Sequence, residues 1–129
     1  MNGNLLLDTN FIIGYLLEKA SLVEFLKSHA DAELFVSVVS KLELLSFHAL
    51  SEEDEVKIQS FLASLTLVPL GEEVQSVTVM FRRGTRRKLP DSIVAASAIT
   101  VGATLVTCDR ELAASTFPGL TTANPDDLQ

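Results

Sequence analysis

A chain of 129 residues with 17 acids, ten lysines and arginines and a formal charge of −7 has room for one domain and not two, with a core able to bury about 65% of the surface its unfolded chain exposes. No run of 18 apolar residues marks a membrane span, and "MNGNLLLD" has no basic start and reaches Asp8 too soon for a secretory signal, so a cytoplasmic protein is expected. One cysteine, Cys108, excludes an internal disulfide and makes no zinc pattern with two scattered histidines, and the acidic balance excludes broad nucleic-acid binding by the whole surface.

In chain order, "NLLLD" is a short apolar run of the kind found in a strand buried on both faces. "TNFIIGYLLEKASLVEFLKSHA" has helical spacing with a break expected near Gly14 or Ala20. "ELFVSVVS" reads as a second strand and "SKLELLSFHALS" as a helix. "SEEDEVKIQSFLAS" opens with Ser51 and Asp54 at N-cap and N3 spacing, and its acids suit a helix N-terminus. "LTLVPL" is a third strand, and "EEVQSVTVMFRRG" a helix expected to end at Gly84. "LPDSIVAASAITVG" carries a proline at its start and Gly102 at its stop. "ATLVT" is a fourth strand, "DRELAAS" a short helix and "LTTAN" a weak fifth strand. The alternation predicts a single α/β domain over residues 1–129, with a mainly parallel sheet of about five strands and helices on both faces. In such sheets function gathers at the carboxyl ends of the strands.

The acids fall there. Asp8 ends the first strand, Asp109 follows the fourth, and Asp91 opens the helix that leads into the fourth. Glu43 lies in the helix after the second strand, among Leu42, Leu44 and Leu45, where a solvated acid is not expected. Each alone has a plain explanation, since aspartate is a preferred N-cap and Glu43 fits a rim. Together they repel: a like-charged pair at about 4 Å costs roughly 4 kcal/mol at an effective dielectric near 20. Either some are protonated or a divalent cation lies between them. Oxygen ligands without histidine or cysteine favour Mg²⁺ or Mn²⁺. Such a cluster suits attack of water on a phosphodiester. Arg82, Arg83, Arg86, Arg87 and Lys88, half of the chain's lysines and arginines, are a solvated helix end or a local hold on a phosphate backbone.

These motifs resemble the PIN-domain ribonucleases, in particular the toxins of VapBC-type toxin–antitoxin pairs. "LLLDTNFII", "SVVSKLELL", "KLPDSIVAASAI" and "LVTCDREL" are similar to that family's motifs, in order and over almost the whole chain. The resemblance implies a metal-dependent endoribonuclease with RNA as substrate, an acidic quartet at Asp8, Glu43, Asp91 and Asp109, and supporting polar residues Thr9, Asn10 and Thr107. Asp8, Asp91 and Glu43 are then the direct metal ligands, and Asp109 holds a second metal or orients water. A homodimer and inhibition by a cognate antitoxin, through an arginine reaching the acids, are also implied. The apolar "FIIGYLL" is the surface suspected for dimerisation, although core packing accounts for most of it. Cys108 stands where a more polar residue is expected.

Other classes fit less well. Dehalogenase-like phosphatases need an aspartate where this chain has Asn10, and receiver domains need a lysine after the last strand that is lacking here. A non-catalytic PIN-like module for RNA or protein is favoured by an eroded quartet, and this quartet is whole. An RNA-maturation nuclease without an antitoxin stays open. His29 and His48 are expected at the surface or rim, and Ser37, Ser40 and Ser92 as hydrogen-bonding or capping residues.

Overall fold

The structure is a computed structural model that describes residues 3–128. Strands β1 (Asn4–Leu7), β2 (Glu33–Ser37), β3 (Thr66–Val68), β4 (Ala103–Val106) and β5 (Thr122–Ala123) form one sheet in the order β3-β2-β1-β4-β5. Every pair is parallel. The sheet grows outward from β1 in one direction through β2 and β3, and in the other through β4 and β5. The direction reverses between β1 and β4, and the crevice outside their carboxyl ends is where ligands bind in open sheets of this kind.

Period-two alternation divides the core. Leu6, Phe35 and Leu105 face α5 (Glu72–Thr85) and α6 (Leu89–Val101), packing with Phe81, Val94 and Ala95. Leu5, Leu7, Val36 and Val106 face the opposite way, against α1 (Thr9–Leu16), α2 (Ala20–Lys27), α3 (Val38–Leu45) and α4 (Glu52–Ala63). The buried alanines of α6, among them Ala95, Ala96 and Ala98, let that helix lie close to the sheet and to α5.

Several boundaries differ from those expected. Gly14 does not break the first helix: it lies inside α1, where an added Cβ would stand 2.5 Å from Leu22 Cδ1, so the glycine serves close packing with α2. The break falls instead at Leu17–Lys19, directly before Ala20, the other position expected, and Glu18 there takes a left-handed φ of 63°. α3 begins at Val38, because Ser37 ends β2 and accepts the Val39 N–H at 3.1 Å; the two valines read as strand were helix. Gly84 does not end α5, which runs on to Thr85 and stops at left-handed Arg86. Gly84 faces the ring of Phe117, 3.3 Å from where a Cβ would be. Ser51 caps α4 and Gly102 closes α6, as expected. Phe11 and Ile12 of the first helix are buried in the core, whereas Leu17 just beyond it is exposed.

A 3₁₀ turn, Pro125–Leu128, follows β5 and is fastened to the α1–α2 junction. Asp126 pairs with Lys19 Nζ at 2.9 Å and accepts the Ser21 hydroxyl at 3.0 Å, and its own N–H meets Asn124 Oδ1 at 3.0 Å.

Candidate active site

Asp8 is the first residue past β1. Its backbone extends the ladder, N–H to the Val106 carbonyl at 3.0 Å, so its direction is set by the sheet. Its buried carboxylate takes the Thr9 N–H on Oδ1 and the Thr107 hydroxyl on Oδ2, each at 2.8 Å. Thr107, wholly buried, also accepts the Asp109 N–H at 3.1 Å. One hydroxyl thus couples the ends of β1 and β4. Asp109 caps α7 (Arg110–Ala113), its Oδ1 accepting from Glu111 and Leu112 N–H. Glu43 comes from α3, and its Oε1 accepts a short hydrogen bond from the Thr9 hydroxyl.

The capping explanation therefore holds for Asp8 and Asp109 but not for Asp91. α6 is entered through Lys88 without a side-chain cap, and Asp91 sits within its first turn. Glu43 is exposed, and so is Leu42 beside it; the leucines around Glu43 did not signal burial.

All four acids line one open cleft, with Thr9, Asn10, Ile13, Ser46 and Phe47. Its electrostatics carry the strain of that assembly. Burial pushes the Asp8 pKa up, against the hydrogen bonds from Thr107 and Thr9, and the charges of Asp91 and Glu43 push the same way. Asp91 is also raised, by partial burial first; Arg87 and Lys88 draw it down, while Asp109 and Glu43 add to the rise. Among the described residues, no three of His, Cys, Asp and Glu stand close enough together to hold a metal ion as placed. The donor set is nevertheless oxygen alone, with no cationic side chain lining the cleft, which suits a hard divalent ion. Glu43 is exposed to solvent, and Asp91 and Asp109 are half-buried.

The supporting residues divide. Thr107 orients Asp8. Thr9, expected as a supporting polar residue, orients Glu43. Asn10 accepts the Cys108 N–H at 3.3 Å and so ties α1 to the loop after β4. Ser46 and Phe47 were missed as lining residues, although their spacing of three and four from Glu43 puts them on the same side of a helix end. The basic run does not enter the cleft. Arg82, Arg83 and Arg86 line a separate groove with Thr78, Val79 and Leu89. Arg87 turns inward toward Glu111, and Lys88 is exposed. Burial raises the Cys108 thiol pKa to about 11, which leaves it unreactive at neutral pH. His29 is taken up by the Phe25 carbonyl and ring, and His48 is exposed. Ser37 and Ser92 hydrogen-bond as expected, whereas the buried Ser40 hydroxyl has no partner among the described residues.

A model of the PIN domain matches residues 5–117. The chain belongs to the PIN domain family. That family is of nuclease type, and its nucleases generally use divalent metal ions. The PIN fold seen here is similar to a toxin–antitoxin complex from Klebsiella pneumoniae, with a TM-score of 0.79 and 22% identity over 92% of this chain and 97% of that one. It is also similar to VapBC2 from Rickettsia felis bound to a DNA fragment from its promoter, with a TM-score of 0.80 and 22% identity over 93% and 97%. DNA-bound VapBC from Salmonella typhimurium has a TM-score of 0.79 and 19% identity over 95% and 98%. At such identities the likeness is one of fold. Comparison with curated proteins gives no match. Among the described residues no helix is long and apolar enough to cross a membrane.

Proposed function

We propose that this PIN domain is a metal-dependent endoribonuclease and the toxin of a toxin–antitoxin pair, working in the cytoplasm as a homodimer. The observation that carries the catalytic reading is the cleft: four carboxylates from four elements line it at the switch point of the sheet, with no cationic side chain among the residues lining it. Asp8, Glu43 and Asp91 would hold Mg²⁺ or Mn²⁺, with Asp109 beside them. The bound ion supplies positive charge for the phosphate oxygens and lowers the pKa of water.

The chain's own residues prepare that event. Thr107 and the Thr9 N–H hold the Asp8 carboxylate in one orientation. The Thr9 hydroxyl does the same for Glu43. Asp109 commits Oδ1 to α7, which leaves Oδ2 for water or a second ion. Arg82, Arg83 and Arg86 hold the RNA backbone along the neighbouring groove, and Lys88 adds charge at the entry to α6. A cognate antitoxin is supported by the fold's likeness to toxin–antitoxin complexes, and a cationic side chain placed among the four acids is the chemistry by which it would inhibit.

A second reading, a non-catalytic module, is favoured by one fact: among the described residues no three acids stand close enough together to hold a metal ion. Cleavage of single-stranded RNA by wild type and Asp8→Asn, in EDTA, Mg²⁺ and Mn²⁺, decides between them. Cleavage by wild type alone, with metal only, is the expected result, with Asp8→Asn slower by roughly 100-fold or more. Equal cleavage by the variant removes Asp8 from the chemistry. No cleavage and no metal binding leaves the non-catalytic module.

A further inference from the structure

One residue of the basic run is unlike the others. Arg82, Arg83, Arg86 and Lys88 are exposed, whereas the Arg87 side chain is only 18% exposed. Its backbone is fastened on both sides: the N–H reaches Thr85 Oγ1 at 3.3 Å, and the carbonyl accepts from Arg82 Nε at 3.2 Å and Ser92 Oγ at 3.4 Å. The guanidinium then spans from the entry of α6 to α7, where Nη1 lies 3.6 Å from Glu111 Oε1.

That pairing is poor for a guanidinium held so firmly. A guanidinium has five N–H donors in a planar fork suited to two-oxygen anions. Here Nε is buried without a hydrogen-bond partner among the described residues, the ion pair is long, and the Glu111 side chain is 87% exposed, so water competes for it. The location is specific. Arg87 is four residues before Asp91, Glu111 is two after Asp109, and both aspartates line the cleft. Of the neighbouring charges on Asp91, that of Arg87 acts most strongly.

We propose that Arg87 is the contact for the RNA phosphate next to the one that reacts, and that Glu111 holds this place in the free protein until RNA displaces it. The proposal rests on the nuclease reading of the cleft. Glu111 presents to Arg87 the two-oxygen anion that a phosphodiester presents with its non-bridging oxygens. Removing the Glu111 charge should therefore improve RNA binding through Arg87, whereas a merely structural Arg87–Glu111 bridge predicts that its loss weakens binding or changes nothing.

The test is fluorescence anisotropy with a single-stranded oligoribonucleotide in EDTA, over a range of salt, for wild type, Glu111→Gln, Arg87→Ala, Arg87→Lys and the Glu111→Gln/Arg87→Ala pair. Glu111→Gln should bind about two- to fivefold more tightly, the size of effect an exposed ion pair exerts. Arg87→Ala should lower the slope of affinity against salt by about 0.7, the value of one single-strand phosphate contact, with Arg87→Lys retaining most of it. In the Arg87→Ala background Glu111→Gln should have no effect. Equal or weaker binding by Glu111→Gln overturns the proposal, as does the same tightening without Arg87, which marks a general charge effect. Cleavage by wild type in Mg²⁺, measured separately, fails only if the nuclease reading fails; the anisotropy comparison can fail alone.

Discussion

Two regions of this PIN domain place aspartates where the chain leaves the sheet, and they treat the charge in opposite ways. At the turn after β5, Asp126 is partly buried and meets a lysine and a serine hydroxyl; the Lys19 bond holds its pKa below the ordinary value, against the effect of burial. At the cleft, Asp8 is buried, meets a threonine hydroxyl and a backbone N–H, and is surrounded by further acids; its pKa is raised. The first arrangement is complete within the chain. The second, on the proposed function, is completed by positive charge from outside, and this difference would separate a fastening from a binding site.

The largest effect expected on that contrast comes from Thr107→Val. The change keeps shape and removes the hydroxyl that donates to Asp8 and accepts from Asp109 N–H. Loss of an orienting partner of this kind costs about 10- to 100-fold in activity or metal affinity. Leaving the buried Asp8 oxygen unsatisfied costs about 1–3 kcal/mol of stability. RNA cleavage with metal titration, together with urea denaturation, measures both. Stability lost with activity and metal affinity intact would make Thr107 a fastening like Ser21 and erase the distinction at that residue.

Next in size is the response to metal. Wild type should gain about 1.4 kcal/mol at an ion concentration ten times its Kd. Asp8→Asn should gain little, yet should melt above wild type in EDTA. The sign follows from the raised pKa: ionised Asp8 destabilises the fold above its folded-state pKa, and that penalty is relieved as pH falls through that value toward 3.8. The difference in Tm between the two proteins in EDTA should therefore shrink on acidification. A variant less stable than wild type in EDTA at neutral pH would mean that the carboxylate is satisfied without metal.

The sheet, its parallel strands and the position of Asp8 at the end of an apolar strand were legible in the sequence, because a run such as "NLLL" buried on both faces has few other uses. The common location of the acids was legible for the same reason: strand ends and the helix starts that follow them share one edge. What stayed hidden was set by tertiary contact. Gly14 and Gly84 read as stop signals because a glycine required by a neighbour's side chain looks no different from one required by a turn. Leu42 read as core, and so made Glu43 look buried, because the face α3 turns to the sheet depends on where the helix starts, two residues earlier than the valines suggested. The basic run looked uniform; only the left-handed turn at Arg86, with φ 61°, separates the exposed arginines from Arg87.

The smallest effect expected lies at the turn, and it has the opposite sign to that at the cleft. Asp126→Asn removes the charge that Lys19 meets while leaving an oxygen for the Ser21 hydroxyl. Because the folded-state pKa of Asp126 is lowered, its stabilisation is present above 3.8 and is lost as pH falls through the folded value. The variant should therefore melt slightly below wild type at neutral pH, by an amount that added salt reduces, as the pair is open to solvent on the lysine side. Metal should leave that deficit unchanged, since the lysine already supplies the counter-charge. Thermal melts of Asp126→Asn and Asp8→Asn against pH, with and without Mg²⁺, set the two regions side by side. If Asp126→Asn also abolished the metal response, the turn would belong to the cleft, and Cys108, which follows Thr107 directly, would be the candidate link between them.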